Sequence, residues 1–119
     1  MCHVLIIEDE AMIAVDLESL LECEGASSFS FAATQAEAVI AAQAHRPDII
    51  TSDVTLLEGT GPAAVALIRA VLGNIPVVYI SATAKGCCVE DRVTRTLTKP
   101  LDRPAVATVF RELCDISRA

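Results

Sequence analysis

The run Val4-Leu5-Ile6-Ile7 is apolar at every position and stops at Glu8 and Asp9. A short run without polar alternation predicts a strand covered on both faces, as in a parallel sheet flanked by helices. The pattern recurs: Ile49-Ile50-Thr51-Ser52 stops at Asp53, Val77-Val78-Tyr79-Ile80 at Ser81, and Thr96-Leu97-Thr98 at Lys99. Each run is too short for a helix, and each ends at a residue with a chemically useful side chain.

Helical signals fill the intervals. Ala11 to Glu24 places Ile13, Leu17, Leu20 and Leu21 at helical spacing, with Gly25 as the stop. Ser28 to Ala32 reads as a weaker second strand. Thr34-Gln35-Ala36-Glu37 has capping-box spacing and opens a helix to about Ala44, with Pro47 turning the chain into a third strand, Asp48 to Ser52. Gly59-Thr60-Gly61-Pro62 starts a helix to about Leu72, Pro62 being tolerated in a first turn. Pro76 to Ile80 is the fourth strand, leading into Ser81-Ala82-Thr83-Ala84, after which come a poor helical segment to about Asp91 and a marginal fifth strand near Arg95 to Thr98. Asp102 caps a last helix with Val106, Val109, Phe110 and Leu113 on one face. The expectation is a single α/β domain over residues 1–119, a (βα)5 unit with helices on both faces of the sheet.

Composition narrows the function. The 119 residues suffice for one core, and no apolar run approaches the roughly 18 residues of a membrane span, so no membrane insertion is expected. The N-terminus lacks the features of a signal peptide, which predicts a cytoplasmic protein. A net charge of -7 repels phosphate backbones, so direct nucleic-acid binding is not expected. Five cysteines form no C-x-x-C pair. Cys23 and Cys114 read as small hydrophobes on helical stripes, while Cys87-Cys88 stands in a polar segment where redox sensitivity stays open. His3, before a strand, and His45, at a helix end, read as structural or solvated.

In an open parallel sheet, active groups gather in the crevice at the carboxyl ends of the strands. Glu8, Asp9, Asp53, Ser81 and Lys99 would therefore converge, a constellation suited to magnesium and phosphoryl transfer. Taken singly, the acids could cap a helix or favour a loop, and Lys99 could be one more solvated charge. Together they fit a carboxylate nucleophile attacking a phosphoryl group, which needs positive charge at the reacting oxygens. Asp9 and Asp53 offer Mg2+ direct oxygen ligands and Glu8 one through water. Without metal these acids repel one another, and at least one proton affinity should rise. No G-x-G-x-x-G or G-K-[ST] follows Gly59, which argues against a nucleotide loop.

The order of these residues, with Arg46-Pro47-Asp48-Ile49-Ile50 leading to Asp53, Gly61 eight positions later, Ser81-Ala82 and Lys99-Pro100, resembles the response-regulator receiver domain of two-component signalling over the whole chain. The resemblance implies a flavodoxin-like sheet in the order 2-1-3-4-5. It implies phosphorylation of Asp53 by a sensor histidine kinase or histidine phosphotransfer protein, and a non-enzymatic signalling domain that assists its own phosphorylation and dephosphorylation. It also implies a third magnesium ligand from the Thr55 backbone carbonyl, a hydrogen bond from Ser81 to the phosphoryl group, a cis Lys99-Pro100 bond and an unidentified downstream protein, with homodimer formation left open.

Three departures stand out. Thr96 occupies the position where the family usually has an aromatic switch, Ser81 and Lys99 are only 18 positions apart, and Leu57 replaces a common proline. These shift the expected response to the Ala82–Val93 segment. Two rivals remain: a receiver that is not phosphorylated and serves only for protein interaction, and a small magnesium-dependent phosphatase of haloacid-dehalogenase type. The latter would want a second acid where Thr55 stands.

Overall fold

A computed structural model describes residues 2–82 and 90–118, with Arg118 described by its backbone alone. The elements are β1 His3–Ile7, α1 Ala11–Cys23, β2 Ser28–Ala32, α2 Gln35–Ala44, β3 Ile49–Asp53, α3 Gly61–Leu72, β4 Val77–Ser81, β5 Thr94–Thr98 and α4 Arg103–Arg118. All four strand pairings are parallel, and the sheet order is β2-β1-β3-β4-β5. This is the flavodoxin-like arrangement that the resemblance implied.

Burial explains the apolar runs. β1 and β4 are buried at every residue and β3 at all but Asp53, whereas the edge strands β2 and β5 are mostly part-exposed. Successive side chains point to opposite faces. Val4, Ile6, Ile49, Val78 and Ile80 pack with α1 and α4 through Leu17, Leu21, Phe110 and Leu113. Leu5, Ile7, Ile50, Val77 and Tyr79 pack with α2 and α3 through Ala38, Ala42, Val65 and Ile68. Two cores thus clamp one sheet.

Helix ends follow the local chemistry. Thr34 Oγ1 accepts from Glu37 N–H at 3.1 Å while Glu37 Oε1 accepts from Ala33 N–H at 2.8 Å, close to the expected capping box. α1 ends in a Schellman-type closure, Ala26 N–H donating to Leu21 C=O at 3.0 Å with Gly25 at φ +106°. Among the described residues, no helix is long and apolar enough to cross a membrane.

Three expectations need correction. The poor helical segment expected after Ala84 lies outside the described residues up to residue 89, and a turn stands at its expected C-terminal end. Asp91 Oδ1 accepts from Val93 N–H at 2.9 Å and Asp91 bridges antiparallel to Thr94, local bonding that favours a turn over a helix at Asp91 itself. Cys23 is exposed rather than buried. Six residues after Leu17, at roughly 100° per residue, it falls about 110° from the centre of the buried Leu17-Leu20-Leu21 stripe, outside its edge. His3 lies inside β1 and is buried.

The His3 ring nitrogens hydrogen-bond with the hydroxyls of Ser28 (2.7 Å) and Ser30 (2.8 Å), and the ring stacks on His45 with centroids 3.5 Å apart. Burial, then the His45 charge, holds its pKa below the ordinary value, Asp48 opposing in part. A depressed folded-state pKa means that the unfolded chain binds the proton first. Stability is therefore expected to fall as pH drops from about 6.5. Urea unfolding of wild type and His3→Gln between neutral and mildly acid pH checks this: the wild-type slope should be the steeper.

Candidate functional site

Three strand ends and the β5–α4 connection assemble the site. Glu8 and Asp9 follow β1, Asp53 ends β3, Ser81 ends β4, and Lys99 follows β5. Asp53 pairs in register with Ile80, so Ser81 lies one residue beyond it on the neighbouring strand, and Ser81 itself pairs with Thr98. Lys99 N–H donates to Ser81 C=O at 2.7 Å, carrying the ladder one step past β5, and the following Lys99–Pro100 bond is cis.

The lysine ammonium is the hub. Its Nζ donates to Asp53 Oδ2 at 3.2 Å and lies 3.6 Å from both Glu8 Oε1 and Glu10 Oε1. Asp53 Oδ1 accepts from Val54 N–H at 2.9 Å, so both carboxylate oxygens are engaged. Burial alone would lower the Lys99 pKa, but the Asp53 hydrogen bond and the charges of Glu8, Asp53 and Glu10 together raise it. The ammonium stays charged.

Glu8, Asp9, Glu10 and Asp53 each place a carboxylate oxygen within 4.8 Å of the others. Such a donor set of hard oxygens fits a small divalent cation. Burial is the main reason that the Glu8 carboxyl is pushed up to about 7, with the Asp53 charge adding to it and the Glu10 N–H bond and Lys99 pulling partly back. The expected rise in one proton affinity is therefore present, but desolvation outweighs the repulsion expected to cause it.

Sequence reasoning missed Glu10. It precedes α1 at the N-cap position without making a side-chain cap bond, and its carboxylate turns toward Lys99 instead. The signal was available in the unbroken Glu8-Asp9-Glu10 sequence. Thr55 is exposed in the loop after β3, bridged antiparallel to Thr60. That bridge uses the Val54 C=O and the Leu56 N–H, which leaves the Thr55 carbonyl outside its hydrogen bonds. Gly61 fixes the far wall, since a methyl group there would collide with the Asp53 carbonyl and the Ser52 hydroxyl.

Beside the acids runs a mainly apolar groove of about 520 Å3 between α1 and the end of β2, lined by Ala11, Ala14, Val15 and Phe31. A more polar cleft of about 480 Å3, lined by Arg46, Asp48, Asn74 and Arg92, adjoins the opposite ends of β3 and β4. It contains none of the site residues.

Comparison with known proteins gives this geometry its class. The family model described as the response regulator receiver domain matches residues 4–111, and the chain belongs to that family. It is 39% identical over 81 residues to the phyllosphere-induced regulator PhyR of Methylorubrum extorquens, covering 67% of this chain and 30% of that protein. The chain thus spans less than a third of that curated relative. Among solved structures, the receiver domain of Erythrobacter litoralis PhyR superimposes with a TM-score of 0.85 at 29% identity, covering 99% of this chain and 93% of that one. The CheX–CheY–BeF3–Mg2+ complex of Borrelia burgdorferi gives 0.84 at 30% identity, covering 94% and 88%.

Removing the charge of the buried Glu8 should relieve the metal-free pocket. In the presence of a chelator at pH 8, Glu8→Gln is expected to raise the thermal midpoint by about 4 °C or more. Calorimetry checks this, and excess magnesium should erase or reverse the difference.

Proposed function

We propose that Asp53 is the phosphoacceptor of this receiver and that Lys99 and a bound Mg2+ make its phosphorylation possible. The observation that carries the reading is the 3.2 Å contact between Lys99 Nζ and Asp53 Oδ2 inside a ring of three further carboxylates. Asp9, Asp53 and the Thr55 carbonyl would hold the metal, with Glu8 acting through water and Glu10 adding negative charge at the rim. The metal would neutralise the approach of a dianionic phosphoryl group to an acidic pocket. The beryllofluoride and magnesium named in the Borrelia burgdorferi relative support this chemistry for the family fold.

In the reaction, a carboxylate oxygen of Asp53 bonds to phosphorus as the bond from phosphorus to the donor's histidine nitrogen breaks. Lys99 moves from balancing Asp53 to balancing the transferred oxygens. Ser81, one residue past the register partner of Asp53, is the hydroxyl that bonds the phosphoryl group, and Ala82 leaves it room. The donor is a histidine kinase or phosphotransfer protein, whose helix would lie in the apolar groove beside Glu8 and Asp9, where Met12, Val15 and Phe31 are exposed. The product is a signalling state that binds a downstream protein. The PhyR of Bartonella quintana, a structural relative, is an anti-anti-sigma factor, which makes a regulatory protein the partner class to test first.

With acetyl phosphate and magnesium, one phosphoryl group per chain is expected, lost in Asp53→Asn and on chelation. Lys99→Ala should label at least tenfold more slowly, removal of one charge-stabilising donor being worth roughly 10²–10³ in well-ordered sites. Full labelling of Asp53→Asn would move the acceptor elsewhere, and absence of label in wild type would favour a purely interacting receiver. Repeated rapid phosphate release would favour the phosphatase rival.

A further inference from the structure

Two cysteines from opposite ends of the chain meet inside the molecule. Cys2 immediately precedes β1 and Cys114 lies in the later turns of α4, 112 positions away, with their Sγ atoms 3.8 Å apart. Both are buried and belong to the core shared by α1 and α4.

Their approach is set by the backbone. The Cys2 N–H donates to Ser27 Oγ at 2.9 Å, and its C=O accepts from the Ser27 N–H at 2.8 Å and hydroxyl at 3.0 Å, so residue 2 is held against the start of β2. Cys114 rides on a helix anchored by Phe110 and Leu113, both essentially inaccessible. A disulfide needs its sulfurs about 2.05 Å apart with a torsion near 90°, so the gap to close is under about 2 Å, within reach of side-chain rotation.

We propose that Cys2 and Cys114 are a redox-responsive pair that a hydroperoxide converts to a disulfide, clasping the start of β1 to α4. One thiolate attacks the peroxide: an S–O bond forms, the O–O bond breaks, and water leaves after proton uptake. The second sulfur then attacks the sulfenic sulfur, the S–S bond forms, the S–O bond breaks, and hydroxide departs with the thiol proton as water. Two thiols and one hydrogen peroxide give one disulfide and two waters. Of the other three cysteines, Cys23 is exposed on α1, and Cys87 and Cys88 lie outside the described residues.

The clasp closes a loop containing nearly the whole chain, the case in which a cross-link most restricts the unfolded state. It also fixes the distal part of the helix that starts just after Lys99 and Pro100. Oxidation would therefore tighten the α1–α4 layer without touching the acid pocket.

The test uses the full chain carrying Cys23→Ala, Cys87→Ala and Cys88→Ala, alongside wild type. Hydrogen peroxide should remove both remaining titratable thiols, lower the mass by about 2 Da and join the Cys2 and Cys114 peptides within one molecule. The thermal midpoint should rise by roughly 10 °C or more and return with dithiothreitol. Adding Cys114→Ala should abolish the cross-link and the gain, circular dichroism showing that this variant folds. The proposal fails if both thiols survive peroxide, if they reach sulfinic acid without joining, if they join only between molecules, or if the cross-linked chain melts lower.

Discussion

One ammonium group holds together a pocket with four carboxylates. Lys99 touches Asp53, Glu8 and Glu10, and the oxygens of Asp9 complete the cluster. At contact distance in a medium of effective dielectric constant about 20, each like-charge pair costs a few kcal/mol. One positive charge cannot cancel four negative ones. Burial, with the Asp53 charge adding to it, pushes the Glu8 carboxyl up to about 7. Four carboxylates of this geometry could hold a divalent cation, whose charge would offset what Lys99 leaves unbalanced.

The sheet makes this concentration of charge tolerable. The buried strands β1, β3 and β4 bring Glu8, Asp53 and Ser81 to the same edge, and two apolar layers fix the strand positions from either side. Gly61 lets the N-terminus of α3 come against the Asp53 carbonyl, where any side chain would push the helix away. The cost of crowding acids is thus borne by residues whose packing leaves them little freedom to move apart.

Much of this was legible in the sequence because it rests on local patterns. Unbroken apolar runs located the buried strands, and the residues that ended them were the residues the fold brings together. What was not legible depended on direction or on competition. Cys23 shares a helix with Leu17 and Leu21 but points away from them, and a loose reading of helical spacing missed that. Glu10 was passed over because an acid before a helix has an ordinary explanation as a cap, and only geometry shows its carboxylate turned to Lys99. The turn at Asp91 was missed because its side-chain bond to the Val93 N–H outweighs a weak helical preference.

The same turn belongs to a set of bonds that hold β5 in place. Arg69 of α3 donates to the carbonyls of Ile75 and Val93 and to the Thr94 hydroxyl, tying the start of β5 to α3 and to the entrance of β4. The other end of β5 is tied to Ser81 through the Lys99 N–H. Between these ties stands Thr96, in register with the buried Tyr79, its hydroxyl buried without a hydrogen-bond partner among the described residues and its N–H held by Glu90. A strand fastened at both ends with a small side chain at its centre has no rotor to turn. The carboxyl end of β5 is hydrogen-bonded instead to the backbone of Ser81, the last residue of β4. Glu90 accepts from the Thr96 N–H, a charge-assisted hydrogen bond at the position where receivers of the usual pattern carry an aromatic residue.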